Sequence, residues 1–382
     1  MIGLPTAVVL AGGVGSRLSP LTKIVPKPLV PFAGAPLLEY IISFLENNGF
    51  DNILITARYL GEQIVKYFQG RRNVTPLLLD SKDTADAVRL VARFIKGDFI
   101  VSMGDVVTNI PYKRFFEYHL SHREIASIVL KEVDNPLPYG LVYMDPNSNI
   151  VLFSEKPPSL EIYLISLAFH GIKSKGFYSN LVNAGIYAFR EELLDILLEN
   201  QGLMDFGRHV FPFLLEAGYR IKGWIAPADT YWNDIGRVEV YKEALWDFLD
   251  NKVLGWNHRG VVYSKGVVVG EESEVHGEIY PPVYIGRNTI VESGARIGPY
   301  VVLEEGVRVE SGARLSYSVV WHNSVIQRNS YIYDSVLMNN TVVKEGVKVV
   351  SSIVGTGCVV ERDLFNTVLE PCLKVSPYEV KG

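Results

Sequence analysis

The amino-acid sequence predicts an α/β fold in two parts, a doubly wound, mainly parallel sheet followed by a parallel β-helix. Strand-like and helix-like segments alternate over roughly the first 250 residues. A glycine-rich turn follows the first apolar strand, which is where doubly wound sheets bind ligands. From about residue 260 onward, apolar and small residues return with a period of six. The predicted domains are therefore residues 1–250 and 251–382.

The predicted sheet begins with an apolar run at residues 7–10, and Pro36 and Asn48-Gly49 bound a helix over residues 37–47. Further strands are predicted at residues 52–57, 74–79 and 98–102, and further helices at residues 60–69, 83–95 and 238–249. Because nearly continuous apolar strands alternate with helices, we expect a parallel sheet covered on both faces. The helix at 83–95 is expected to bury a stripe of Ala87, Leu90, Val91 and Phe94.

Residues 123–155 have a different pattern, which predicts an inserted antiparallel element. They contain β-rich stretches separated by turns at Asn135-Pro136 and Asp145-Pro146. Short strands joined by such turns are typical of antiparallel pairing rather than of a βαβ crossover.

The repeats that follow predict a solenoid. One aliphatic column recurs every sixth position, at Ile285, Val291, Ile297, Leu303, Val309 and Leu315. A second column, offset by four, holds small or apolar residues at Thr289, Ala295, Val301, Val307, Ala313, Val319, Val325, Tyr331, Leu337, Val343 and Val349. A six-residue period is the sequence pattern of a parallel β-helix, whose coils are stable only when stacked. We therefore expect the whole repeat to fold as one cooperative domain.

Composition and charge exclude several classes of protein. Hydrophobic residues make up 48% of the chain and charged residues 21%, which is the balance of an ordinary globular protein. The net charge of −5 gives no reason to expect nucleic acid or an anionic membrane as a partner. The sequence shows no signal-peptide pattern and no segment that approaches a membrane span. Cys358 and Cys372 form no ligand cluster and predict a reduced, cytoplasmic location without disulfides.

The turn after the first strand carries the first candidate binding residues. Gly12, Gly13 and Gly15 have no Cβ, so their backbone N–H groups can close around phosphate oxygens. Arg17 follows at once, and Lys27 lies between two prolines whose fixed φ angles stiffen the segment. Two cations on a rigid, glycine-lined loop suit a triphosphate. The glycines taken alone are equally typical of a tight turn between strand and loop.

Two aspartates are candidate metal ligands. Asp105 ends an apolar strand in the run SMGDVVTN, and Asp234 lies in the aromatic run YWNDIG. Carboxylate oxygens are the ligands that a hard cation such as Mg²⁺ requires. Asp105 by itself also suits a helix N-cap or an Asx turn, so the residue pattern leaves both roles open.

The run AGGVGSRLSPLT and the run PKPLVP together resemble the signature of the sugar-1-phosphate nucleotidylyltransferases, or NDP-sugar pyrophosphorylases. The resemblance covers nearly the whole chain and implies a Rossmann-like nucleotidyltransferase domain followed by a left-handed, hexapeptide-repeat β-helix. By resemblance, the nucleotide-binding residues are Ala11, Gly12, Gly13, Gly15, Arg17, Thr84 and Ala85. By resemblance, the catalytic residues are Arg17, Lys27, Asp105 and Asp234, with the two aspartates holding Mg²⁺.

Three further blocks resemble those that line the sugar-phosphate pocket of the family. They are Tyr139-Gly140, Glu155-Lys156-Pro157 and the run NAGIY at residues 183–187. The resemblance implies that Gly140, Glu155 and Asn183 contact sugar hydroxyls, that Lys156 meets the sugar phosphate, and that Gly185 belongs to the same pocket. In isolation, Glu155-Lys156 is also typical of a solvated charge pair.

The block DSKDTADAVR at residues 80–89 departs from the commonest family pattern, because Asp83 stands where glycine is usual. Its TADAVR portion resembles the adenylyltransferase branch, and the run MDFG at residues 204–207 occurs in that branch and in guanylyltransferases. The resemblance therefore favours a purine nucleotide. ATP with glucose 1-phosphate is the first expectation, and GTP with mannose 1-phosphate follows closely.

The implied reaction takes an NTP and a sugar 1-phosphate to an NDP-sugar and pyrophosphate. Two other functions stay open. His322 on the predicted β-helix is either an outward-facing residue or the base of an added acetyltransferase activity. The second open function is that of a non-catalytic regulatory subunit that senses NDP-sugar. Such a chain would be expected to have lost Arg17, Lys27 or an aspartate. The β-helix is expected to form a homo-oligomer, with Tyr317, Trp321, Tyr331 and Tyr333 as contact material, and to take no direct part in the chemistry.

Overall fold

A computed structural model describes residues 5–135, 139–155 and 180–372, with Glu155 described by its backbone alone. Its helices are α1 Leu37–Asn47, α2 Gly61–Phe68, α3 Thr84–Val91, α4 Tyr112–Leu120, α5 Glu192–Glu199, α6 Phe211–Glu216 and α7 Val238–Leu249. The first strands are β1 Thr6–Ala11, β2 Asn52–Ala57, β3 Val74–Leu78, β4 Phe99–Met103, β5 Val106–Thr108, β6 Ala126–Glu132, β7 Gly140–Met144, β8 Ile150–Glu155, β9 Leu181–Phe189, β10 Ile221–Ile225 and β11 Trp232–Asp234.

The strands that follow belong to the repeat region and are short. They are β12 Val261–Ser264, β13 Val267–Val269, β14 Glu274–Val275, β15 Glu278–Ile279, β16 Val283–Ile285, β17 Ile290–Val291, β18 Arg296–Ile297, β19 Val301–Leu303, β20 Arg308–Val309, β21 Arg314–Ser316, β22 Ser318–Val320, β23 Val325–Ile326, β24 Tyr331–Tyr333, β25 Val336–Leu337, β26 Val342–Val343, β27 Lys348–Val350, β28 Ile353–Val354, β29 Val359–Val360, β30 Leu364–Phe365 and β31 Val368–Leu369. Among the described residues, no helix combines the length and the apolarity that crossing a bilayer requires.

By contact density the chain divides into two compact units. The first takes Met1–Gly13 and Ile42–Trp232, and the second takes Val14–Ile41 and Asn233–Gly382. The segment after the glycine turn is therefore grouped with the repeat region. The boundary at residue 250 marks the end of α7 and stays a prediction about where the domains separate.

The first unit is built on a nine-stranded, mainly parallel sheet in the order β10-β6-β9-β4-β1-β2-β3, with β7 and β8 added beside β9. The pairs β1·β2, β1·β4, β2·β3 and β6·β10 are parallel, as predicted for a doubly wound sheet. Strands β7 and β8 pair antiparallel, so the predicted antiparallel element at 123–155 is confirmed. The core of the first unit includes Val8, Val101, Ile128, Tyr187 and Phe211, which are fully or almost fully buried.

Helix α3 differs from its prediction in the face that it buries. Asp83 caps it by accepting the Thr84 N–H at 2.9 Å, and the helix gives way to a 3-10 turn at Ala92–Phe94. Leu90 and Phe94, expected on the buried stripe, are exposed, whereas the guanidinium-bearing Arg89 is only 6% exposed. The change of helix type after Val91 rotates Phe94 out of the stripe, and polar partners from a distant loop meet Arg89.

The repeat region forms three stacked sheets of parallel strands, with only β12 antiparallel at one edge. This arrangement agrees with the predicted left-handed parallel β-helix. Every member of the first predicted column, from Ile285 to Leu315, is at most 2% exposed and lies in one continuous core. The six-residue period thus identified the inward-facing residues correctly over the first coils.

The second predicted column fails at Val325 and Tyr331. Tyr331 is 38% exposed, whereas its neighbour Ile332 is fully buried. Val283 pairs with Val301, eighteen residues later, but Val301 pairs with Ser318, seventeen residues later. Because this coil is one residue shorter, Val325 and Tyr331 take the opposite side-chain alternation from the one a fixed period predicts. The next coil is also seventeen residues long, since Val319 pairs with Val336, and the column is buried again at Leu337, Val343 and Val349.

The expectation of no disulfide is wrong, because Cys358 and Cys372 are joined by a disulfide bond in the structure. The last coil brings the two residues together, and the Cys372 N–H donates to the Thr356 carbonyl at 2.9 Å. Fourteen residues separate the cysteines in sequence, which is close to one turn of the solenoid. The expectation rested on the number of cysteines and took no account of this stacking.

Candidate active site

The glycine turn and Asp105 leave neighbouring strands at the same edge of the sheet. Strands β1 and β4 are parallel neighbours with Leu10 opposite Met103. The Gly104 N–H donates to the Leu10 carbonyl at 2.9 Å. Because the carboxyl ends of parallel strands form the ligand-binding edge, the predicted position of these two motifs is confirmed. Asp105 is half-buried at this edge.

Two glycines at this edge lie in close contact with their neighbours. A Cβ on Gly104 would lie 3.0 Å from the Leu10 carbonyl oxygen, and a Cβ on Gly12 would lie 3.2 Å from the Cβ of Arg58. Gly13 is different, because it is exposed and a Cβ there would meet nothing within 4 Å. Packing therefore does not require a glycine at position 13.

Arg58 is a cation at this edge that the sequence analysis missed. It follows Ala57, the last residue of β2, and its side chain is exposed. Its Cβ lies against Gly12, so its stem begins beside the glycine turn. The rule that identified Asp105, a charged residue directly after a predicted strand, would also have identified Arg58.

In the second unit, the segment that carries Arg17 and Lys27 consists of three short 3-10 turns. Gly15 has φ 66°, and a Cβ there would lie 3.1 Å from both Thr22 Cγ2 and Lys27 Cβ. The Thr22 hydroxyl donates to the Gly15 carbonyl at 2.9 Å. Gly15 therefore allows the turn to close onto the stem of Lys27.

Lys27 and Arg17 both lie against the YWNDIG run. Lys27 Nζ is 3.4 Å from Asp234 Oδ1, with the lysine side chain 8% and the aspartate side chain 33% exposed. The Arg17 guanidinium packs on Gly236, where an added Cβ would lie 3.3 Å from Nη2. Two motifs whose contacting residues are 207 positions apart thus meet, and their assignment to one catalytic site stays a prediction. Two cations beside one carboxylate leave the cluster with a net positive charge that suits phosphates.

The predicted Mg²⁺ ligands are the carboxylates of Asp105 and Asp234. In the described part of the chain, no group of three or more His, Cys, Asp or Glu residues could hold a metal ion. Mg²⁺ usually takes one or two carboxylates and completes its shell with waters and substrate phosphates, so a protein cage is not required. Asp105 in the first unit is half-buried, and a third of the Asp234 side chain in the second unit is exposed, so each carboxylate taken by itself is accessible to a hydrated cation.

The block at residues 80–89, which carries the predicted nucleotide-binding residues Thr84 and Ala85, is hydrogen-bonded to the MDFG run. The Thr84 hydroxyl donates to Asp205 at 3.0 Å and accepts from the Phe206 N–H at 3.1 Å. The Ala85 N–H donates to the Met204 carbonyl at 2.8 Å. The structure therefore uses these groups to join two blocks, and the assignment of Thr84 and Ala85 to the nucleotide stays a prediction.

Arg89 makes hydrogen bonds to the segment that precedes the MDFG run. Its Nε donates to the Leu197 carbonyl at 2.7 Å, its Nη1 pairs with Asp86, and its Nη2 reaches the carbonyls of Asn200 and Leu203. A guanidinium with this many partners fixes the loop before the MDFG run. The residue was missed because helical spacing marks it as polar and outward-facing, and only the loop after α5 shows otherwise.

We expect Arg89→Met to lower the free energy of unfolding by about 3–5 kcal/mol, because it leaves the buried Asp86 carboxylate without its cation and removes a charged donor from three carbonyls. Urea titration monitored by circular dichroism measures the change. Arg93→Met is the matched control, since Arg93 is exposed and only stacks on Phe94, and it should lose less than about 1 kcal/mol. Equal losses for the two variants would contradict the assignment.

The three predicted sugar-side blocks lie on neighbouring strands. Gly140 on β7 pairs with Glu155 on β8, and Leu141 on the same strand pairs with Val182 on β9. Asn183 accepts the Gly185 N–H at 2.9 Å and donates to the Tyr187 hydroxyl at 2.8 Å. The structure thus brings Gly140, Glu155 and Asn183 together, whereas Lys156 lies outside the described residues.

Aromatic residues border this group. The Trp232 indole donates to the Ala184 carbonyl at 2.9 Å, and its ring lies 5.1 Å from that of Tyr139. Gly185 has φ 74°, and a Cβ there would lie 2.9 Å from Met103 Cγ, next to the Gly104-Asp105 turn. The sugar-side residues and Asp105 therefore occupy one region of the sheet.

His322 on the β-helix is half-buried rather than on the outer surface. Burial lowers the pKa of its imidazole, and the nearby Glu305 carboxylate opposes that shift. The side chain is therefore neutral at physiological pH.

Comparison with known proteins shows two domain matches. Residues 6–251 match the family model described as Nucleotidyl transferase, and residues 279–370 match the model described as GMPPB C-terminal domain. The two matches cover most of the chain, in the order in which the two folds appear.

Curated relatives resemble the chain over most of its length. The bifunctional protein GlmU of Methanocaldococcus jannaschii is 30% identical over 347 residues, which are 87% of this chain and 78% of that protein. Mannose-1-phosphate guanylyltransferase 1 of Arabidopsis thaliana is 29% identical over 96% of this chain and 98% of its own length. A UTP–glucose-1-phosphate uridylyltransferase of Synechocystis sp. is 29% identical over 78% of each chain.

A solved structure shows the same fold. HddC from Yersinia pseudotuberculosis aligns with 64% of this chain and the whole of its own chain, with a TM-score of 0.52 and 24% identity. At this identity the likeness concerns the fold.

Proposed function

This chain belongs to the nucleotidyl transferase family, and on that premise we propose that it transfers a nucleotidyl group from an NTP to a sugar 1-phosphate, releasing pyrophosphate. The observation that carries the proposal is the cluster in which Lys27 contacts Asp234 and Arg17 packs on Gly236. It joins a glycine-lined cationic loop to a carboxylate, as a reaction between two phosphate groups requires.

The reaction is a direct displacement at the α-phosphorus. An oxygen of the sugar phosphate forms a new bond to that phosphorus, and the bond to the bridging oxygen of pyrophosphate breaks with its electron pair. The second pKa of a phosphate monoester is near 6, so the nucleophile is already a dianion at neutral pH and no general base is needed. The protein's task is to position the two substrates and to neutralise their charge.

The residues divide that task. Arg17 and the backbone N–H groups of Ala11, Gly12, Gly13 and Gly15 hold the triphosphate and the departing pyrophosphate. Lys27 neutralises charge on the reacting phosphates. Asp105 and Asp234 would hold Mg²⁺, which supplies charge neutralisation at the phosphate oxygens when it is bound.

The sugar 1-phosphate binds beside β7, β8 and β9. Gly140, Glu155 and Asn183 contact hydroxyls and Lys156 meets the phosphate, with Gly185 permitting the close turn. Pairing of Gly140 with Glu155 supports this grouping.

For the base, a purine nucleotide is proposed. The TADAVR and MDFG blocks were the first reason to favour it, with ATP and glucose 1-phosphate ahead. Two findings support GTP and mannose 1-phosphate instead: the match of residues 279–370 to the GMPPB C-terminal domain, and the relative named as a mannose-1-phosphate guanylyltransferase that aligns over 98% of its length. GTP with mannose 1-phosphate therefore becomes the first pair to assay.

A pyrophosphate-release panel that crosses ATP, GTP, UTP and dTTP with several sugar 1-phosphates tests the proposal. We expect one purine nucleotide to exceed both pyrimidines in kcat/KM by about tenfold or more, which corresponds to about 1.4 kcal/mol of transition-state stabilisation. Preference for UTP or dTTP over both purines would contradict the base assignment. Absence of pyrophosphate release from every pair would contradict the reaction.

Acetyl transfer on the β-helix is a second candidate function. The relatives named as bifunctional GlmU proteins and the neutral, half-buried His322 support it. A coenzyme A release assay with acetyl-CoA and an amino-sugar phosphate distinguishes it from a single-function enzyme. A purely regulatory role is disfavoured because Arg17, Lys27, Asp105 and Asp234 are all present.

Two further properties are proposed. The protein would act in the cytoplasm, a proposal that no longer has the cysteines as support, because Cys358 and Cys372 form a disulfide. It would assemble as a homo-oligomer through the β-helix. Support for assembly comes from Tyr317, Tyr331 and Tyr333, which are 37–38% exposed and lie in ring contact on one surface of the solenoid. Trp321, expected in the same surface, is instead fully buried against Tyr241.

A further inference from the structure

The chain just after Lys27 forms a tight hairpin with an unusual backbone. The Phe32 N–H donates to the Ala35 carbonyl at 2.8 Å, and the Leu37 N–H donates to the Val30 carbonyl at 3.1 Å. Both central residues of the turn have positive φ, Ala33 at 49° and Gly34 at 95°. A positive φ is strained for alanine, so surrounding contacts must hold the turn in this form.

Glu304 supplies one of those contacts from the β-helix. It directly follows β19, is fully buried, and its Oε2 accepts the Gly34 N–H at 2.9 Å. Its other oxygen, Oε1, makes no hydrogen bond within the described part of the chain. Burial raises the pKa of this carboxyl to about 8, so the group is mostly protonated at neutral pH.

The rest of the turn is held in the same way. The Tyr40 hydroxyl donates to the Ala33 carbonyl at 2.7 Å, and the Tyr241 hydroxyl donates to the Pro31 carbonyl at 2.6 Å. Tyr241 in turn accepts the indole N–H of Trp321, from the β-helix, at 3.1 Å. A Cβ on Gly34 would lie 1.9 Å from the hydroxyl of a further β-helix residue, Tyr284, so this hydroxyl packs directly on the turn.

The hairpin is directly connected to the residue that would act on the phosphates. The Val30 N–H donates to the Lys27 carbonyl at 3.3 Å, closing the 3-10 turn Lys27–Leu29. Val30 is also the residue that closes the hairpin through Leu37. A shift of the hairpin would therefore move the backbone that sets the direction of the Lys27 side chain.

We propose that Glu304 is a positioning residue for nucleotidyl transfer, which holds the 31–34 turn and through it the Lys27 segment. This inference rests on the proposed function and revises the expectation that the β-helix takes no direct part in the chemistry. A buried carboxyl with one unsatisfied oxygen and a strained alanine both lower stability. An apolar contact would hold the two elements together at less cost, so their presence at one contact indicates a requirement for geometry.

The test compares three replacements of Glu304. Glu304→Gln keeps a neutral acceptor for the Gly34 N–H and should keep kcat within about threefold of wild type. Glu304→Leu removes the acceptor and should lower kcat about tenfold or more, with KM for the NTP changed less than about threefold, because misplacing a catalytic group by an ångström has an effect of this size or larger. Glu304→Asp shortens the side chain, so its kcat should fall as in Glu304→Leu. If Glu304→Leu does not fold, Glu304→Asp serves as the test in its place.

Two controls separate positioning from stability. Glu305→Leu alters the exposed neighbouring glutamate and should leave kcat unchanged. Leu315→Ala removes a buried side chain of the β-helix core, so it should lower Tm without changing kcat below the transition. The inference is overturned if Glu304→Leu, or Glu304→Asp in its place, keeps wild-type kcat, or if Leu315→Ala at equal Tm loses as much activity.

Hydrogen exchange at the Gly34 amide gives a readout that needs no turnover. We expect slow exchange in wild type and Glu304→Gln, and exchange at least about tenfold faster in Glu304→Leu. A wild-type protein without pyrophosphate release would overturn the proposed function, and the exchange data would still establish whether Glu304 holds the turn. If Gly34 exchange were unchanged in an active Glu304→Leu protein, the role of Glu304 in holding the turn would be overturned, whereas the proposed function would stand.

Discussion

Replacement of either Asp105 or Asp234 by asparagine is expected to lower kcat about 10³-fold, which corresponds to about 4 kcal/mol of transition-state stabilisation. Asparagine keeps the size of the side chain but removes the anionic oxygen that Mg²⁺ requires. Steady-state pyrophosphate release at saturating Mg²⁺ measures the effect. Circular dichroism and Tm should remain close to wild type, since Asp105 is half-buried and Asp234 is one-third exposed.

The matched control is Asp247→Asn, which removes a carboxylate from an ion pair with the exposed Lys252 on the same unit as Asp234. Its kcat should be unchanged. A titration with Mg²⁺ adds a second readout, because loss of a ligand should raise the Mg²⁺ concentration needed for half-maximal rate. Either aspartate would be excluded as a ligand if its asparagine variant kept near-wild-type kcat across that titration.

Lys27→Met is expected to lower kcat about 10²- to 10³-fold while the protein stays folded. The lysine side chain is only 8% exposed, and methionine fills much of the same space without a buried charge. The loss has the size that follows removal of one preorganised charge or donor from a transition state. Lys23→Met is the control, because Lys23 lies in the preceding turn and pairs with Glu370 at a surface where both side chains are at least half exposed.

A double-mutant cycle between Lys27→Met and Asp234→Asn tests whether the pair acts as a unit. Asp234 lies 3.4 Å from Lys27, so each single variant also disturbs the partner. We expect the kcat of the double variant to lie only slightly below that of the less active single variant, because the losses are not additive when two groups act together. Fully additive losses would show that the two residues contribute independently, which would contradict a joint site.

Local sequence patterns were enough to predict individual elements. The helix predicted at residues 37–47 is observed as α1, Leu37–Asn47, and the helix predicted at 238–249 is observed as α7, Val238–Leu249. The reason is that the signals that begin and end these helices lie within a few residues of them. Likewise the strand ends that present Gly12 and Asp105 follow from apolar runs and from the rule for parallel sheets.

The repeat was predictable only while its period held. One shortened coil after Leu315 reversed the orientation of Tyr331 and Ile332, because side chains alternate along a strand and a single missing residue exchanges inside and outside. The Cys358–Cys372 disulfide depends on the same stacking of coils and could not be read from cysteine spacing.

What only the tertiary structure decided is which distant residues meet. The sequence marks Lys27 and Asp234 as candidates, but their contact spans 207 positions, and the Gly34–Glu304 hydrogen bond spans 270. Glu304 and Glu305 are identical neighbours in sequence, yet one is fully buried and the other is exposed. The corner of one coil and the turn packed against it determine that difference, because burial of a polar group depends on long-range packing and on the partners that packing supplies.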